Sequence, residues 1–98
     1  MKSNAIKSGP ARAPARAMLR ATGLDDAAIA RPFVGVIHTW TDVSPCNLNL
    51  RELARHVREG VQSAGGTAVE FNTIAVTDGI AMGTDGMRAS LASRETIA

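Results

Sequence analysis

Cys46 is the only cysteine in the chain and stands in Ser44-Pro45-Cys46-Asn47, a few residues ahead of an amphipathic stretch that begins at Leu50. A thiol near a helix N-terminus meets unsatisfied N–H groups and the macrodipole, which favour the thiolate and depress its pKa below the free value of about 8.5. The thiolate is the form that a soft metal or a cluster requires. The bland alternative is a packed structural cysteine. Some thirty residues later, Asp78-Gly79 follows a strand-like run, so a carboxylate can leave the strand end while the backbone turns sharply. Hard oxygen of this kind suits magnesium, which takes one or two carboxylates and keeps water or substrate for its other positions. Asp78-Gly79 and Asp85-Gly86 also read as two ordinary turns.

Other candidates are weaker. Gly79, Gly83 and Gly86 would let backbone N–H groups approach an anionic substrate. Their spacing matches neither a dinucleotide fingerprint nor a P-loop, which argues against a nucleotide site. His38 and His56 have no Cys, Asp or Glu at an evident ligand spacing. His38 closes the first strand and is a candidate substrate contact, because polar residues beside loops often bind. His56 reads as a partly exposed structural residue. Met82 and Met87 read as core packing or pocket lining.

The elements that must position these groups can be read from periodicity. Residues 1–9 read as a loose polar arm. Residues 10–31 read as a helical pair: Pro14 suits a first helical turn, Gly23 stops the first helix, Asp25 caps the second, and Arg31-Pro32 ends it. Phe33 to Trp40 is a β-branched apolar run that reads as a buried strand. Leu50, Leu53, Ala54, Val57, Val61 and Ala64 recur at helical spacing, with Arg51, Glu52, Arg55, Arg58, Glu59 and Gln62 on the other face. Asn49 with Glu52 resembles a capping box, and Gly65-Gly66 is a stop. Ala68 to Val76 reads as a second strand. Strand, helix, strand over residues 33–76 predicts a right-handed βαβ unit with a parallel sheet. Ligands of such sheets sit beyond the carboxyl ends of the strands, so Cys46 and Asp78 are expected to face one crevice, with residues 77–87 as its loop. Residues 87–98 read as the start of a helix. Two strands leave an open edge and a bare face, so the chain reads as an α/β domain cut off midway.

Composition sets limits. Ninety-eight residues fit one small domain that buries about two thirds of its unfolded surface. A net charge of +2 and three aromatic residues, Phe33, Trp40 and Phe71, argue against a nucleic-acid surface. Lys2, Lys7, Arg12, Arg16 and Arg20 precede the first acid, Asp25, a pattern shared with transit peptides and phosphate-binding arms. No apolar run approaches the roughly 18 to 20 residues that cross a bilayer, and nothing suggests secretion. A lone cysteine agrees with a reducing compartment, so a cytoplasmic protein without a membrane partner is expected.

Ile6-Lys7-Ser8-Gly9, Arg12-Ala13-Pro14, Leu19 to Gly23, Pro45-Cys46-Asn47, Ala64-Gly65-Gly66, Glu70 to Met87 and Ser93-Arg94-Glu95, in this order, resemble the start of the dihydroxy-acid dehydratase family. The run from Glu70 to Met87 after Cys46 is the most specific part. The resemblance implies that the basic N-terminal segment belongs to the fold, and that residues 1–98 are the N-terminal portion of a domain binding an iron–sulfur cluster and magnesium. It implies that Cys46 is one of three thiolates holding a two-iron two-sulfur cluster (2Fe-2S), and that Asp78 is a ligand of Mg2+. The other cysteines, a Cys-Asp-Lys segment, a glutamate and a serine base would all lie outside these residues, so none of the catalytic residues is expected here.

The implied activity is a lyase reaction of valine and isoleucine biosynthesis, dehydrating a 2,3-dihydroxy-3-methyl acid substrate to a 2-keto acid, in a protein that is a homodimer when full length. The 98-residue piece alone is expected to be inactive. The family usually carries Asn where this chain has His38, and often His where it has Asn49, which bears on fine substrate contacts. A sugar-acid dehydratase of the same family, or a non-catalytic remnant serving as an interaction module, are the alternatives.

Overall fold

The computed structural model describes residues 1–98. The chain forms α1 (Asn4–Lys7), a 3-10 turn at Pro10–Arg12, α2 (Ala13–Ala21), α3 (Asp26–Ala30), β1 (Phe33–His38), α4 (Leu50–Ser63) and β2 (Thr67–Asn72). It continues through α5 (Asp78–Ala81), a 3-10 turn at Asp85–Arg88 and α6 (Ala89–Ile97). The local signals act as the sequence predicts at several points. Pro14 lies in the first turn of α2, and the Asp25 carboxylate accepts the Ala28 N–H at 2.8 Å to cap α3. Gly65 adopts φ 87° just past α4, a conformation that a side chain would strain.

β1 and β2 pair in parallel, in register from Phe33 opposite Thr67 to His38 opposite Asn72. The crossover through α4 makes an α/β unit. Alternation along the strands turns Val36 and Ala68 to the same side, where they form the core with Ala54 of α4 and with Val61 packed against them. The opposite face carries Ile37, Val69 and Phe71, all exposed. Only nine residues are buried, and the radius of gyration is 17.1 Å against about 13 Å for a compact chain of this length. The arrangement is therefore open, with one covered sheet face and one bare one.

Four expectations need correction. The N-terminal arm is not loose: Lys7 is buried, its ammonium donates to the Arg31 carbonyl and lies 4.4 Å from the centre of the Phe33 ring, while Arg16 donates to the Lys7 carbonyl at 3.0 Å. Both strands are shorter than predicted, because β1 turns away after His38: the Thr73 N–H still reaches the His38 carbonyl at 2.8 Å, and residues 74–76 then have no strand beside them. Residues 77–87, expected as a loop, contain α5 and a 3-10 turn. Asn49 makes no side-chain cap; the turn ahead of α4 instead closes through Leu50 N–H to the Asn47 carbonyl at 3.1 Å.

Candidate functional site

Parallel pairing brings the segments after β1 and β2 to the same end of the sheet. Beyond the last ladder pair, the Asn72 side chain takes over. Its Oδ1 accepts the Trp40 N–H at 2.7 Å and its Nδ2 donates to the Trp40 carbonyl at 3.2 Å, which reproduces what a neighbouring strand would offer. Trp40 then ties down the far end of the turn: its Nε1 donates to the Leu48 carbonyl at 3.1 Å, and the Arg51 guanidinium lies 3.6 Å from the ring centre. A cation–π contact at an exposed site contributes about 0.5–1 kcal/mol, comparable to one hydrogen bond, so the turn is anchored at several points of similar strength.

Inside the turn, Ser44 is 1% exposed, its hydroxyl 3.0 Å from Asn47 Oδ1 and 3.1 Å from Thr77 Oγ1. Asn47 Nδ2 donates to the Thr39 carbonyl at 2.8 Å. These bonds leave the Cys46 thiol exposed, just ahead of α4. On the other side of the crevice, Asp78 opens α5. One of its carboxylate oxygens accepts from the Ser90 hydroxyl and the other from Arg94 at 2.7 Å, both on the last helical segment. The Ser90 hydrogen bond, followed by the Arg94 charge and hydrogen bond, holds the Asp78 carboxyl below its usual range.

A cavity of about 330 Å³ lies between these segments, its wall including Thr39, Cys46, Asn47, Thr77, Asp78 and Arg94. This size falls at the lower end of ordinary small-molecule sites, roughly 300 to 1,000 Å³. The two residues singled out from the sequence therefore share one cavity at the carboxyl ends of the strands. No three His, Cys, Asp or Glu side chains converge anywhere in the chain.

His38 does not join them. Its Nε2 pairs with Glu70 at 2.9 Å, on the sheet face covered by α4, and Arg58 of α4 reaches the other Glu70 oxygen at 3.3 Å. His56, likewise, lies between Glu52 and Glu59 at 3.7 Å each on the exposed face of its helix. The His38 partner lies 32 residues away and needed the fold to be found, whereas Glu52 and Glu59 stand four and three residues from His56, a helical spacing that the sequence reading overlooked. Met82 is exposed and lines neither core nor cavity.

The His38 hydrogen bond, more than Arg58, lowers the Glu70 pKa from its ordinary 4.5. A carboxylate depressed in the folded state contributes stability that is fully present above its unfolded value and is lost as pH falls through the folded one. A carbon-13 titration of the Glu70 carboxyl is expected to give a midpoint below 4.5. His38→Asn should raise it further than Arg58→Gln does.

Sequence reasoning did not find Ser44, Thr77, Asn72, Ser90 or Arg94 as parts of this site. Ser90 and Arg94 had a usable signal, since residues four apart share a helix face. Short polar residues in turns give little, because they satisfy local backbone groups in any protein.

The chain is a parallel α/β unit whose crevice lies beyond the carboxyl ends of its strands, where such sheets place their ligands. The family model described as dihydroxy-acid/6-phosphogluconate dehydratase N-terminal matches residues 31–98, and the chain belongs to that family. It is 58% identical over 98 residues to a dihydroxy-acid dehydratase of Thermus thermophilus, covering 100% of the chain. It is 57% identical over 97 residues to the same-named protein of Koribacter versatilis, and 55% identical over 97 residues to that of a Roseiflexus species, in both cases covering 99% of the chain. The chain spans 17% to 18% of the length of these curated relatives. No helix is long and apolar enough to cross a membrane.

Proposed function

We propose that this chain supplies the N-terminal part of the active site of a dihydroxy-acid dehydratase, a hydro-lyase of branched-chain amino-acid synthesis. The observation that carries the reading is the meeting of Cys46 and Asp78 in one cavity, in a chain 57% to 58% identical to proteins of that name.

The donors suit the groups the family implies. An exposed thiol is a soft ligand suited to an iron–sulfur cluster, and Cys46 would be one of its thiolates. A carboxylate offers about four lone-pair sites, and Ser90 and Arg94 occupy one on each oxygen, which leaves room for a magnesium ion at Asp78. When bound, the two groups supply Lewis acidity toward the departing hydroxyl and the substrate carboxylate. The chain's own residues hold and orient: Cys46 projects from a turn fixed at both ends, and Asp78 is aimed by Ser90 and Arg94.

The net reaction removes the C3 hydroxyl and the C2 proton of a 2,3-dihydroxy-3-methyl acid as water, and the enol becomes the 2-keto acid. The proton-accepting base and the other ligands lie outside these residues, so the 98-residue chain alone is inactive under this reading. The complete protein is a cytoplasmic homodimer.

The family description also covers 6-phosphogluconate, so substrate class is the point to test. A hybrid in which this chain replaces the corresponding N-terminal segment of the Thermus relative is expected to form 2-keto acid from 2,3-dihydroxy-3-methylbutanoate in preference to a sugar acid. Preference for the sugar acid would assign the chain to the other branch, and a folded hybrid with no dehydratase activity would point to a non-catalytic module.

A further inference from the structure

We propose that Thr77 and Ser44 are positioning residues: with Asn47 they form a one-way hydrogen-bond chain that fixes the Cys46 turn against the strand end bearing Asp78. The inference rests on the functional reading above for its consequence, but its geometry is independent of any bound group.

The direction of the chain follows from one fixed acceptor. The Thr39 carbonyl only accepts, so the group 2.8 Å from it must be the Asn47 amide nitrogen, whose second partner is Thr39 Oγ1 at 3.1 Å. Asn47 Oδ1 therefore points at Ser44 and can only accept, so the single Ser44 proton goes to Asn47 at 3.0 Å. The contact between Ser44 and Thr77 at 3.1 Å must then be donated by Thr77. Each of these contacts therefore has one donor and one acceptor.

Two further observations support a role for this chain. Thr77 stands at the N-cap of α5, where threonine ordinarily bonds a backbone N–H of the first turn, yet its side chain makes no capping bond. Its hydroxyl is committed to Ser44 instead. Ser44 is 1% exposed, so water cannot replace a lost partner, and an unsatisfied buried hydroxyl is costly. Thr77 immediately precedes Asp78, and Ser44 and Asn47 flank Cys46. The chain thus joins the two halves of the cavity, in addition to the sheet and the Asn72–Trp40 bonds beyond its last pair.

The test uses Thr77→Val, which keeps the shape and removes the hydroxyl, and Thr77→Ser, which keeps the hydroxyl, in the Thermus hybrid. In metal-free protein, amide hydrogen exchange across residues 39–49 should quicken about tenfold in Thr77→Val, the effect of losing one net hydrogen bond, and stay near the parent rate in Thr77→Ser. In the cluster-loaded protein, release of iron to a chelator should be about tenfold faster for Thr77→Val and restored by Thr77→Ser, the scale of removing an outer partner of a ligand.

Equal exchange in all three proteins overturns the chain. Altered exchange with unaltered iron release shows that it holds the turn without positioning Cys46, and overturns the positioning role. If Cys46→Ser retains the cluster, the functional reading fails, while the exchange measurement still decides whether the chain exists.

Discussion

Cys46→Ser in the Thermus hybrid is expected to abolish the visible absorbance of the cluster and to lower dehydration by at least about a hundredfold, the upper end of what even an outer partner of a metal ligand costs. Serine is nearly isosteric, so the turn held by Trp40, Ser44 and Asn47 should survive. What changes is donor chemistry. A thiol ionises far more readily than a hydroxyl and is soft, whereas a serine hydroxyl stays protonated near neutrality and binds iron–sulfur units poorly. This chain has no second cysteine to take over. Iron content and the visible spectrum, read beside a thermal melt, separate ligand loss from unfolding. A variant with full iron and full activity would remove Cys46 from the site.

Asp78→Asn should fail in a different way. The amide keeps the size of the carboxylate and can still accept the Ser90 hydroxyl, but it loses the charge that pairs with Arg94 and attracts magnesium. The cluster spectrum should remain, while the magnesium concentration for half-maximal activity rises by about ten- to a hundredfold. Excess magnesium should restore part of the rate. Loss of the cluster in this variant, or an unchanged magnesium requirement, would contradict the assignment of Asp78 to the hard-metal side of the cavity. The two substitutions together thus distinguish a soft and a hard position in one site from a single shared one.

The sequence carried the parts of this account that depend on residue type and period. A β-branched run at Phe33, the helical recurrence from Leu50 to Ala64 and the return to a strand near Ala68 suffice for a parallel βαβ unit, because each element has its own periodicity. From that topology, residues after the two strands must share one end of the sheet, and Cys46 and Asp78 do line one cavity there. What was not legible depends on contacts across long separations. The burial of Lys7 requires the Arg31 carbonyl and the Phe33 ring, and composition alone made its segment look like a loose arm.

The early end of β2 has a similar cause: a strand lasts only while its neighbour does, and β1 turns after His38. Nothing in the strand pattern around Glu70 indicates its partners, yet it joins His38 and Arg58 across three elements. Ser44, Asn47 and Thr77 are ordinary turn residues by composition, and only their mutual distances reveal a chain. An α/β unit hosts many chemistries, so the functional reading rests on the site and the family together and not on the fold.

The central claim is that Cys46 and Asp78 belong to one site that holds a cluster beside a divalent ion. The most direct measurement is electron paramagnetic resonance of the reduced cluster in the Thermus hybrid, with manganese(II) added in place of magnesium. The account predicts that manganese broadens and relaxes the cluster signal through magnetic coupling at short range, and that Asp78→Asn removes the effect while leaving the cluster signal itself. A cluster signal unchanged by saturating manganese would place the two groups in separate sites and contradict the account.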